Sequence, residues 1–206
     1  MKTSYSRADS ALILVDVLND FMAEDGKLAG MIGPMIEKHQ LKKNLQRLLD
    51  GVRKAGLRTM YAPHGADEHS FDGVSYVHPR FQFGLDHKVF WIGTYGADFY
   101  PPLKPREGDI VVGRHHMFDS FNGTGLEEQL HAHRIEKVIL AGLTSQTCIE
   151  GTGRHALEAG FHVTFLTDAV SEFTDDAHRA AIEISYPTFG HEVTTVDEFL
   201  RAMENG

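Results

Sequence analysis

The stretch from Val138 to Arg154, VILAGLTSQTCIEGTGR, decides the fold. Val138 to Ala141 is an unbroken apolar run of strand length, Gly142 to Thr147 turns the chain, and Cys148 opens a helical pattern that runs through Arg154 to Gly160. A buried strand leading straight into a helix is half of a β-α-β unit. The same turn places the only cysteine at a helix N-terminus, where unpaired N–H groups and the positive dipole end favour a thiolate. The position therefore predicts a lowered pKa and a nucleophile. Taken alone, a lone cysteine is more often a small buried hydrophobe than a catalyst.

The same alternation extends along the chain in both directions. Ala11 to Val15 is a second apolar strand and ends in Asp16. Leu41, Leu45, Leu48, Leu49 and Val52 draw one stripe on a helix that stops near Gly56. Leu57 to Ala62, Ile110 to Val112 and Phe161 to Leu166 read as strands, the last leading to Asp168, and Leu126 to His133 as a short helix. The end of the chain reads as a helix from Asp175 to Ile184, a strand around Glu192 to Thr194 and a helix from Val196. Repeated β-α-β units predict an α/β fold of three layers, α-β-α, around a mostly parallel, doubly wound sheet, with residues 1–206 as one domain. In such a sheet the ligand crevice lies beyond the carboxyl ends of the strands, which is where both Asp16 and Cys148 fall.

Composition narrows the classes of function. The chain has 206 residues, 42% of them hydrophobic, which is enough for one substantial core. A formal net charge of −9 argues against nucleic acid as a partner, and no segment reads as a membrane span or a signal peptide. With one cysteine there is no internal disulfide, and a cytoplasmic location is the expectation. The 13 histidines are scattered apart from the pair His115 and His116.

Four stretches together carry a resemblance: LILVDVLNDF from Leu12 to Phe21, GDIVV from Gly108 to Val112, FNGTGL from Phe121 to Leu126, and the Val138 to Arg154 segment. In content and order they resemble the isochorismatase-like cysteine hydrolases, which include nicotinamidases, N-carbamoylsarcosine amidohydrolases and biuret hydrolases. The resemblance implies Asp16 as base, Cys148 as nucleophile, and an oxyanion site from the backbone amides of Thr144 and Cys148. It also implies a cis peptide at Leu143–Thr144, a small-molecule amide, carbamoyl or related substrate, and a homo-oligomer, dimer or tetramer.

The chain departs from the family pattern at its third catalytic residue, a lysine, for which Arg114 stands here. Arginine keeps the charge but not the titratable ammonium. We assign Arg114 the electrostatic task, with His115 or His116 as the other candidates. The metal motif of the nicotinamidases is also broken, because Ala62 occupies its leading aspartate position ahead of His64, Asp67 and His69. Neither a catalytic metal nor another cofactor is expected. The aromatic-rich segment from His64 to Pro105 reads as a pocket wall, with Phe21, His64, Trp91, His115 and Phe121 as substrate-binding candidates. Vinyl-ether hydrolysis and a non-catalytic binding or assembly role on the same scaffold are the competing functions.

Overall fold

The computed structural model describes residues 3–204. In chain order the strands are β1 (Ser10–Val15), β2 (Arg58–Ala62), β3 (Ile110–Val111), β4 (Lys137–Leu143), β5 (His162–Ser171) and β6 (Glu192–Thr194). Among the described residues they form one wholly parallel sheet in the order β3-β2-β1-β4-β5-β6. Strand order reverses between β1 and β4, and that switch point opens the crevice in which doubly wound folds bind ligands. The helices are α1 (Asn19–Met22), α2 (Ala29–Lys38), α3 (Leu41–Ala55), α4 (Pro79–Asp86), α5 (Leu126–Ala132), α6 (Glu150–Glu158), α7 (Asp175–Ala180), α8 (Tyr186–Phe189) and α9 (Val196–Glu204). None is long and apolar enough to cross a membrane.

Period-two alternation along β1 divides the core between the two faces of the sheet. Leu12 and Leu14 join the stripe of α3 (Leu41, Leu45, Leu48, Leu49, Val52) with Val196 and Phe199. Ala11, Ile13 and Val15 face the other way, among Leu126, Leu130, Ile149 and Ala156. All six residues of β1 are buried, so its unbroken apolar run marks it as a central strand. Each buried leucine of the α3 stripe contributes about 1.5–3 kcal/mol. Gly56 ends α3 in the left-handed conformation at φ +72°.

Three elements differ from the sequence reading. β5 does not stop at Leu166: its register with β4 shifts between Leu140 and Gly142, so that Gly142 pairs with Val170 and the strand runs on to Ser171. The Asp175 to Ile184 helix continues to Phe189 through a π-helical turn at Ala181–Ser185. Within the aromatic segment lies α4, which buries none of its residues and so draws no apolar stripe.

Candidate active site

Two backbone bends bring the reacting groups together at the switch point. Asp16 leaves β1 with φ +54°, a strained left-handed conformation for a residue with a Cβ. On the adjoining strand Gly142 has φ +124°, and a Cβ there would lie 2.0 Å from the carbonyl oxygen of Val15. Only glycine lets β4 close over the end of β1. The Leu143–Thr144 peptide is cis. A π-helical turn, Ser145–Ile149, then carries Cys148 back beside Asp16. This turn is braced on two sides: Tyr186 donates its hydroxyl to the Ser145 carbonyl at 3.1 Å, and Glu172 accepts the Gln146 N–H at 3.0 Å.

Asp16 is 1% exposed and is fully engaged on one oxygen. Its Oδ1 accepts the backbone N–H of His64 at 2.6 Å and the Nε2–H of His115 at 2.9 Å. The other ring nitrogen of His115, Nδ1, lies 2.6 Å from the carbonyl oxygen of Met117. Facing a carbonyl and an ionised carboxylate, both ring nitrogens of His115 act as donors, the arrangement of an imidazolium paired with Asp16. Burial opposes each charge, but the two groups sustain one another. The His115 charge and hydrogen bond hold Asp16 below the usual carboxylate range, and Asp16 in turn raises His115 above the ordinary histidine value.

Among the described residues Oδ2 of Asp16 has no hydrogen-bond partner, and the thiol of Cys148 lies close to the same carboxylate. One ligand-type atom each from Asp16, His115 and Cys148 lies within 4.8 Å of the others. Burial pushes the thiol well above its ordinary value and Asp16 pushes it further, outweighing the Thr147 hydroxyl and the Thr144 N–H that favour the thiolate. The lowered pKa expected from the helix N-terminus is therefore corrected: a desolvated sulfur facing a carboxylate keeps its proton at rest. His64 is held neutral, its pKa pushed down to about 3 by burial and then by the His115 charge.

Arg114 lies within electrostatic reach of Asp98 and Asp16 but gives its hydrogen bonds to backbone carbonyls. Its Nη1 donates to the His64 carbonyl at 2.7 Å and its Nη2 to the Ala97 carbonyl at 2.9 Å. These bonds tie the guanidinium to two loops, and the imidazolium next in sequence is the cation that meets Asp16. Its aliphatic part runs so close over Gly65 that a Cβ there would lie 2.4 Å from Arg114 Cδ.

Above Cys148 opens a cavity of about 580 Å³ lined by Asp16, Phe21, His64, Thr144, Gln146, Thr147 and Cys148 at its base. Phe21 packs on Phe90, ring centroids 4.6 Å apart, and Phe173 completes that inner wall. Trp91 and Phe121, expected on the wall, are not on it. Trp91 pairs its backbone with Ala66 and sits under Lys88, and its neighbour Phe90 takes the cavity position. Phe121 is stacked on His155 at 4.4 Å in the core beneath β4. His115 stands behind Asp16 rather than on the wall, whereas His116 is on it. His64, Asp67 and His69 do not converge: His69 pairs with Asp72 and Asp67 with Ser70.

Glu172 escaped the sequence reading although it is buried and lines the cavity. Its position at the carboxyl end of a strand is the signal that singled out Asp16, and it was hidden by ending β5 too early.

A parallel α/β sheet that holds a buried cysteine, carboxylate and histidine at its switch point, with a cavity open above them, has the makings of a hydrolase-type site. The isochorismatase domain matches residues 10–198. The chain is 33% identical over 173 residues to the uncharacterized isochorismatase family protein YwoC of Bacillus subtilis, covering 84% of this chain and 88% of that protein. It is 26% identical over 208 residues to the ureidoacrylate amidohydrolase RutB of Variovorax paradoxus, covering 95% and 81%. The crystal structure of a cysteine hydrolase from Pseudomonas syringae pv. phaseolicola has the same fold, with a TM-score of 0.83 at 23% identity over 99% of this chain and 96% of that one. The chain belongs to the isochorismatase family and is a hydrolase.

Proposed function

We propose that this protein is an amidohydrolase that cleaves a C–N bond of a small organic amide through a thioester on Cys148. The observation that carries the reading is a buried thiol close to the Asp16 carboxylate, one oxygen of which is held by His115 and His64 while the other has no partner among the described residues. The ureidoacrylate amidohydrolase relative supports the class of bond.

In this mechanism the Cys148 proton passes to Asp16 Oδ2 as the sulfur attacks the carbonyl carbon. The oxyanion forms against the backbone N–H groups of Thr144 and Cys148. Collapse breaks the C–N bond, and Asp16 returns the proton to the leaving nitrogen. Asp16 then takes a proton from water, which attacks the thioester and releases the acid, and the thiol regains its proton. His115 remains an imidazolium throughout and supplies, from behind, the positive charge that a lysine supplies in the family.

Ammonia release from a panel of primary amides, with intact-mass detection of an acyl adduct on Cys148, tests the reading. Wild type is expected to turn over at least one amide and Cys148→Ser to lose about 10³-fold or more. Undiminished turnover by Cys148→Ser, or no amide cleaved by wild type, would overturn it.

A further inference from the structure

The cavity above Cys148 is larger and more apolar than cleavage of a simple amide requires, and its aromatic rings form two successive walls. The inner wall is Phe21, Phe90 and Phe173, next to His64. The outer wall is Phe71, Phe81 and Phe118: Phe81 lies 4.8 Å from Phe118 and 5.8 Å from Phe71, centroid to centroid. A volume of about 580 Å³ is in the range of sites for drug-sized molecules.

The charges on this surface are distributed unevenly. Both buried acids are committed, Asp16 as described and Glu172 to the N–H groups of Gln146 and Phe173, each at 3.0 Å. The outer wall carries a cation, Arg80 of α4, whose guanidinium carbon lies 5.9 Å from the Phe118 ring centroid. Among the described residues it has no carboxylate partner, so its charge is available to a bound molecule.

Resting on the amidohydrolase reading, we infer that the substrate is an amide with an aromatic body and, at the far end from the scissile bond, a carboxylate that pairs with Arg80. The aromatic body occupies the space between the two walls. A carboxylate at the mouth meets the exposed guanidinium of Arg80 in a charge-assisted hydrogen bond.

Three amides separate the parts of the inference: propanamide, 3-phenylpropanamide, and 3-phenylpropanamide bearing a para-carboxylate. The phenyl group is expected to raise kcat/KM by about 50-fold or more over propanamide, the gain of burying one ring. The carboxylate is expected to add about tenfold, and Arg80→Gln to bring the ratio of charged to neutral substrate down to about one. Propanamide cleaved as well as its phenyl derivative would overturn the aromatic body. A charged-to-neutral ratio unmoved by Arg80→Gln would overturn the role of Arg80. The binding of the three amides to Cys148→Ser by calorimetry gives the same ranking without turnover. If no amide is cleaved but that ranking holds, the chemistry fails and the pocket assignment stands; if the ranking is absent, the pocket assignment fails whatever the turnover.

Discussion

The two ring nitrogens of His115 lie 2.9 Å from Asp16 Oδ1 and 2.6 Å from the Met117 carbonyl, so the proposed base of this site sits against an imidazole whose pKa it raises. A lysine carries its charge to high pH, but an imidazolium loses it sooner. That difference makes the site sensitive to pH where family members with lysine would not be.

The first expectation concerns the rate profile. Asp16 is lowered and His115 raised, so the ionised pair persists from below the ordinary carboxylate value to above the ordinary histidine value. Activity is expected to fall on the alkaline side as His115 loses its proton. His115→Lys moves that limb upward, toward the ordinary lysine value of about 10.4. A limb in the same place in both proteins would show that another group sets it.

Stability should follow the same pair. Lowered Asp16 stabilises the fold above its unfolded value of about 3.9, and this is lost as pH falls through its folded value. Raised His115 stabilises fully below its unfolded value of about 6.5, and this is lost as pH rises through its folded value. The pair therefore contributes most between about pH 4 and 6.5. Asp16→Asn should cost more stability in urea titrations at pH 5.5 than at a pH above the folded value of His115, and should lower kcat by about 10²–10⁴-fold. A loss independent of pH would contradict the ion pair.

Arg114 is expected to act on stability rather than on chemistry. Arg114→Ala leaves the carbonyls of His64 and Ala97 without their charged donor, at a cost of about 1–3 kcal/mol in urea unfolding. The folded variant should keep the position of the alkaline limb. A shift of that limb comparable with the His115 variant would return the electrostatic role to Arg114.

Glu172 is expected to act through the turn that it braces. Glu172→Ala removes the acceptor of the Gln146 N–H and should reduce kcat by about tenfold, with little change in KM or in the pH profile. Glu172→Gln, which keeps a carbonyl acceptor, should recover most of it. Equal loss in both variants would point to the charge instead.

Much of this arrangement is legible in the sequence because it follows from strand ends. Asp16 and Cys148 each stand just past an apolar run, and a parallel sheet sends both to one edge. The cation is less legible. Arg114 and His115 are neighbours on an extended segment paired with Pro63 to Gly65, so their side chains leave in opposite directions. Alignment to a lysine position selects the segment but not which of the two faces Asp16. The pocket wall is harder still, since α4 has no buried face and Trp91 and Phe90 differ only in which side of the loop they leave.

The proton that burial and Asp16 hold on Cys148 bears on the oxidation chemistry of the sulfur. Peroxide attacks thiolates and not thiols, so a sulfur that surrenders its proton only when a substrate carbonyl arrives is shielded between turnovers from conversion to the sulfenic and irreversible sulfinic acids. In the proposed mechanism the carboxylate that takes the proton from Cys148 is also the one that helps to hold it on sulfur between turnovers.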